Sequence, residues 1–257
     1  MKNIIKLLAL PCIIALLMTS CSKSSDNGGG GSSDGKHLTK ISETVLIYDA
    51  NETLIETETS VININWSGDL VTKMEFHDDG EYEESVVFSY NNNLLEFATV
   101  TDYEGEVKVL RFNYTGENIT SIDIVEEDGE YESIYLSYNN NNQLIGIGDD
   151  DLYYNITWSA NDVIATEVEN EENCAYTYDT KNNPLNNLAG WFISLTNGDF
   201  SLLSEHNVAT RLSAEPDGYN NQTVCSYEYN EDQYPVSCTF ITTDNYYHMS
   251  GSIEYIY

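Results

Sequence analysis

An aromatic residue ends an apolar run at Trp66, Tyr90, Tyr114 and Tyr138, at successive intervals of 24 residues, and again at Trp158 and Tyr178, at intervals of 20. A fixed period of this length marks a chain built from one repeated supersecondary unit, each copy burying its apolar face against the next. Two kinds of turn alternate within the unit. A small or polar turn follows the aromatic, as at residues 67–69, 91–93 and 139–142, and an acidic turn lies midway, as at residues 78–81, 103–106, 127–130 and 149–151. Asp79-Gly80 and Asp128-Gly129 tolerate positive φ at both central positions and so favour two-residue hairpins.

Between turns the apolar pattern has period two. Val86, Phe88 and Tyr90 share one face while Ser85, Val87 and Ser89 share the other, and Leu110, Phe112, Tyr114 and then Ile134, Leu136, Tyr138 repeat the arrangement. One face is core and the other is wet, which is the mark of consecutive antiparallel hairpins. The fold class is therefore all-β, a long up-and-down meander of about fourteen strands that must curl or close. The repeat units run from about residue 42 to 183, and regular strands resume over 223–257. Residues 185–222, with LAGWFISL and DFSLLSEHN, form an insertion of loop and short helical turns. Leu188, Trp191, Phe192, Leu202 and Leu203 make it a packing cap over an open barrel end or, alternatively, a binding element.

The first 20 residues read as a signal peptide, with Lys2 and Lys6 before an apolar stretch and small residues before Cys21. They resemble a bacterial lipoprotein signal, which implies that Cys21 carries the lipid after cleavage. Residues 21–37 then form a flexible Gly/Ser tether, residues 38–257 are a single domain, and Ser22 beside the cysteine resembles outer-membrane sorting. The expected location is a lipid-anchored outer-membrane protein facing the periplasm or the cell surface. Lys and Arg number 10 against 43 Asp and Glu, a net charge of −33. Nucleic acid is excluded as a partner, because phosphate recognition needs clustered cations.

Little in the sequence points to catalysis. Four His are scattered and no HExxH, CxxC or GxSxG spacing occurs, so neither an enzyme nor a cofactor is expected. The acidic turns serve as soluble hairpin tips, with weak Ca²⁺ binding left open at Asp149, Asp150 and Asp151. Cys225 and Cys238 flank a hairpin. A two-residue loop at Glu231-Asp232 would set them opposite for a disulfide, whereas the repeat register favours inert, buried thiols. Most of the 20 Tyr fall in the core phase; the candidate ligand-binding aromatics are therefore those near loops, Trp191, Tyr219, Tyr246 and Tyr247.

The segments YNNNLL, YNNNNQLIGI and YEYNEDQYPV resemble the tyrosine-Asp repeats of secreted polymorphic toxins in degenerate form. Together with YDTKNNPL at 178–185, HNVATRL at 206–212 and YNEDQYPV at 229–236, the chain resembles a lipoprotein family of gut-type Gram-negative bacteria with a porin-like fold and no assigned function. The resemblance implies a barrel-like or porin-like sheet and carries over no catalytic residue. Two functional readings follow. One is a membrane-tethered binding or scaffolding module for a glycan or protein partner; the alternative is an integral outer-membrane barrel.

Overall fold

The computed structural model describes residues 37–126, 129–149, 152–169, 171–215, 218, 220–243 and 248–257. Sixteen strands follow one another: β1 (Lys40–Tyr48), β2 (Leu54–Ser67), β3 (Leu70–Asp78), β4 (Glu81–Asn91), β5 (Leu94–Asp102), β6 (Val107–Thr115), β7 (Asn118–Glu126) and β8 (Tyr131–Tyr138) come first. They continue with β9 (Leu144–Gly148), β10 (Tyr153–Ser159), β11 (Asp162–Val168), β12 (Asn173–Asn182), β13 (His206–Ala214), β14 (Asn220–Tyr229), β15 (Pro235–Thr243) and β16 (His248–Ile256). Each strand pairs antiparallel with its sequence neighbours, and β1 pairs with β16 from Lys40↔Ile256 to Tyr48↔His248, so the meander closes into a barrel. Closure pairs the first strand with the last, so the meander has no whole edge strand, while residues 54–59 of β2 have no ladder partner in β3.

Sixteen strands stand against the fourteen or so expected; β13 lies wholly, and the start of β14 partly, inside the stretch expected as the insertion. The non-strand segment is only 183–205, between β12 and β13, and it carries helix α1 (Leu188–Asn197) and a 3-10 turn (Phe200–Leu203). His206–Ala214 alternates too weakly to read as a strand, because Asn207 and Ser213 are polar yet buried.

Local chemistry explains the turns. Asp79 (φ 46°) and Gly80 (φ 83°) both take positive φ between Asp78 and its partner Glu81, giving the expected tight hairpin, and Asn92 (φ 52°) and Asn93 (φ 65°) do the same. Asp49, Asp102, Asn139 and Asn230 instead accept backbone N–H bonds with their side chains across longer turns.

The period-two reading places the core correctly. Ile62, Met74, Val86, Ala98, Leu110 and Ile122 are fully buried, and nearly every strand adds residues to one continuous apolar cluster. A round barrel of sixteen strands would be wide enough for an aqueous channel. Here the inward side chains and the 183–205 segment fill that space. Helix α1 is buried around most of its circumference: Phe192 meets Phe88 of β4 edge-on at 5.3 Å, Trp191 lies 5.9 Å from Phe112 of β6, and Phe200 lies 5.1 Å from Tyr154 of β10. The segment is thus a plug rather than a lid. Asn187 caps α1 by accepting from the Ala189 N–H at 2.8 Å, and Gly198 (φ 75°) ends it in the left-handed conformation.

Asp179 ties the base of the plug to the wall by accepting bonds from the Asn207 backbone N–H, the Lys181 N–H and the Tyr229 hydroxyl. Asn183 and Asn186 bond the carbonyl of Ser204 from the other side of the plug.

The outward face is mixed: Val87, Val125, Tyr135, Ile164, Leu212 and Ile241 are exposed on it beside polar and charged rows. The cross-strand row Ser89, Phe97, Arg111, Asp123, Ser133 and the row Asn63, Glu75, Ser85, Thr101 run across the middle of the wall. Lys73 pairs with Glu75 at 2.8 Å, Asn113 and Ser133 hydrogen-bond Asp123, and Arg111 lies over the Phe97 ring at 5.5 Å.

Candidate functional site

The aromatic column of the sequence occupies one end of the barrel. Trp66, Tyr90, Tyr114, Tyr138, Trp158 and Tyr178 each stand where the ladder to the next strand shifts register by a β-bulge, and each is half-buried against the core. A bulge removes backbone groups from the ladder, and the polar tip of the aromatic supplies a partner. The Tyr90 hydroxyl donates to the Val71 carbonyl at 2.7 Å and the Tyr114 hydroxyl to the Leu95 carbonyl at 2.9 Å. The Trp66 and Trp158 indole N–H groups donate to the carbonyls of Leu38 and Leu144. Tyr178 bonds the Val163 carbonyl in the same way, and Tyr227 bonds that of Val208 at 3.0 Å. The period of 24 is therefore the spacing of one structural device, a bulge with its aromatic latch. Burial pushes the Tyr90 and Tyr138 hydroxyls up to about 12, with the neighbouring Tyr114 adding to the rise, so both stay protonated and Tyr90 keeps its bond to Val71.

Between these rings and the start of α1 lies an open cleft of about 310 Å³. Trp66, Tyr90, Tyr114 and Tyr138 form one wall, Asn187 and Leu188 of the plug contribute to the other, and Asp69, Asn93, Glu117 and Asn118 supply polar groups from the turns. The volume lies at the low end of the range of small-molecule sites, and a mostly apolar lining with a few polar groups is their usual chemistry. His37 stacks on Trp66 at 4.3 Å and reaches Asp69 at 3.3 Å, fixing that ring in place.

The opposite end carries inward carboxylates. Burial lifts Glu43 to about 8, opposed by its Ser60 contact at 3.4 Å, and lifts Glu84 to about 7, opposed by Lys108. Glu58, Asp78 and Glu132 are also raised by burial and by their acidic neighbours. Among the described residues no three His, Cys, Asp or Glu side chains converge to hold a metal ion.

The structure redistributes the residues singled out from the sequence. Trp191 is part of the plug packing against Phe112 and does not line the cleft. Tyr219, Tyr246 and Tyr247, together with Asp150, Asp151 and the lipidation residue Cys21, lie outside the described residues. Asp149 spends a side-chain oxygen on the Leu152 N–H at 2.7 Å, closing its own turn. Cys225 and Cys238 are free thiols. The loop after β14 is longer than two residues, closed by Asn230 N–H to the Tyr234 carbonyl, and so Cys225 stands opposite Phe240 while Tyr227 stands opposite Cys238. Trp66, Tyr90, Tyr114 and Tyr138 pack against the core, as their repeat phase predicts, and also line the cleft, which the phase alone does not show. Their position immediately before a turn was the available signal, because an inward residue at a strand end lines the mouth of a barrel rather than its middle.

No family model matches the chain, and no curated protein sequence matches it. Among solved structures, the chain is similar to a porin-like protein from Bacteroides uniformis, at 14% identity and a TM-score of 0.55, over 85% of this chain and 97% of that one. A porin-like protein from Bacteroides vulgatus matches at 12% identity and a TM-score of 0.39, over 86% of this chain and 98% of that one. The expected kinship with tyrosine-Asp repeats finds no support in these matches. At such identities the likeness concerns the fold: this chain is an all-β, porin-like closed barrel of sixteen antiparallel strands.

Proposed function

We propose that this protein is a non-catalytic binding module, a water-surrounded barrel held at the outer membrane by a lipid on Cys21, with the aromatic cleft as its ligand site. The observation that carries this reading is the placement of charged side chains at mid-strand on the outside of the wall, among exposed apolar ones. A lipid-spanning barrel is apolar outside and polar inside. Here the apolar cluster faces inward, and Lys73, Glu75, Arg111 and Asp123 face outward from the middle of their strands. Placing Arg or Lys on the lipid face near the bilayer midplane costs about 2–4 kcal/mol each. Ser204 and His206, near each other in sequence, are held in structural bonds: Ser204 accepts the Val163 N–H, and the His206 ring is held by Asp162 at 2.9 Å.

The test is expression of the chain from residue 37 onward without detergent. A monodisperse, β-rich product in plain buffer supports the reading, and recovery only as detergent-dependent material refutes it. In parallel, Cys21→Ser is expected to release the full chain from the membrane fraction.

The likeness to a porin-like protein favours a second reading, an integral outer-membrane barrel. In that case Cys21→Ser protein stays in the membrane and resists carbonate extraction.

A further inference from the structure

The cleft is a row of rings rather than a cage. Trp66, Tyr90, Tyr114 and Tyr138 occupy equivalent positions at the ends of β2, β4, β6 and β8, so their backbone positions are set at least about 10 Å apart along the wall by two strand widths. The intervening strands offer mainly aliphatic side chains, Leu95 and Ile119 among them, with Asn118 at the start of β7. The Tyr90 and Tyr114 hydroxyls and the Trp66 N–H are committed to backbone carbonyls. What Tyr90 and Tyr114 can present to a ligand is a ring face, repeated once per hairpin, whereas Trp66 already carries the His37 ring stacked on it.

We propose, resting on the reading of this cleft as the ligand site, that it binds an uncharged linear glycan, with the rings stacking beneath alternate sugars. The backbone spacing is comparable with the length of a disaccharide unit. Sugar rings carry patches of C–H that pack on aromatic faces, while their hydroxyls need acceptors and donors at the edge. Asp69 and Glu117 provide acceptors, and the Asn93 and Asn118 amides provide both.

The competing ligand classes fit less well. Among the described residues no Lys or Arg lines the cleft, and the chain carries a net charge of −33, so an anionic polymer is repelled. A quaternary ammonium is held best by rings converging on one point, which a row does not provide.

The test titrates the full-length protein, in a zwitterionic detergent without a sugar head group, with neutral linear hexasaccharides of glucose, mannose and xylose and with their disaccharides. An oligogalacturonate and tetramethylammonium serve as comparators, with calorimetry as the readout. At least one neutral hexasaccharide is expected to bind about tenfold or more tightly than its disaccharide, because only the longer chain covers more than one ring. Tyr114→Ala is expected to weaken it about tenfold, the loss of one stacked face. Glu117→Ala, at an exposed turn position where folding is insensitive, is expected to weaken it about threefold. Failure of every neutral hexasaccharide overturns the proposal. If tetramethylammonium or oligogalacturonate then binds, and Tyr114→Ala abolishes that binding, the cleft survives as a ligand site and only the glycan class falls. Hexasaccharide binding that is unchanged in both variants overturns the cleft itself.

Discussion

Replacing Phe192 with Ala tests whether the lumen is a packed core or a loosely occupied channel. Phe192 is wholly buried in α1 and meets Phe88 of the wall with ring centroids 5.3 Å apart. Deleting a buried phenyl ring costs roughly 3–5 kcal/mol, the transfer energy plus the cavity left behind. The edge-to-face pair accounts for about 0.5–1.5 kcal/mol of this. With a guanidinium slope of about 5 kcal/mol/M for a domain of this size, the unfolding midpoint falls by roughly 0.6–1 M. The assay is equilibrium denaturation followed by both circular dichroism and tryptophan fluorescence. Val87→Ala, on the outer wall and 46% exposed, is the control and is expected to stay within about 0.5 kcal/mol of the parent. A loss below about 1 kcal/mol for Phe192→Ala would refute the filled-lumen account, since it would mean that water or relaxed side chains already occupy that space.

Four further outcomes are expected. Glu43 is raised from its ordinary value to about 8 by burial, so its contribution is fully present below about pH 4.5 and is lost as pH rises through 8; Glu43→Gln should shrink the stability difference between pH 5 and pH 9 by on the order of 4 kcal/mol, at about 1.4 kcal/mol per unit, in denaturant titrations at the two pH values. Tyr114→Phe, which keeps the ring and deletes the bond to the Leu95 carbonyl, should destabilise the barrel by about 1–2 kcal/mol, and an unchanged melting curve would show that the bulge carbonyl finds water instead. Reconstituted in planar bilayers, the protein should give no open-pore conductance, because the core and plug fill the barrel; steady ohmic steps would overturn that inference. Cys174 and Cys238, both buried, should resist alkylation in the native state and react on unfolding, as read by mass spectrometry.

Much of the architecture could be read from the chain, and the reason is periodicity. Alternation in Ser85–Tyr90 and Val109–Tyr114 assigns inward and outward faces, and the 24-residue interval assigns hairpins, because strand geometry has only one period to satisfy. Local turn chemistry was equally legible at Asp79-Gly80. The failures arose where burial overrode pattern. His206–Ala214 is a strand whose inward positions include Arg211 and Ser213, satisfied by Cys174, Glu172 and Asn221, partners that no local window contains. The Cys225–Cys238 register turned on loop length, and one bulge between Glu228 and Tyr229 was enough to move the facing pairs.

By itself the sequence determined the repeating hairpin, the side of each strand that meets the core, and the net charge of −33. These follow from single-strand geometry and from summed charge, neither of which depends on distant residues. Only the tertiary structure decided that β1 meets β16 and closes the barrel, that residues 183–205 turn inward as a plug, and that Trp66, Tyr90, Tyr114 and Tyr138 come to share a cleft with the start of that plug. Each of those outcomes depends on contacts between residues far apart in the chain, where space filling and hydrogen-bond satisfaction choose among arrangements that the same local pattern permits.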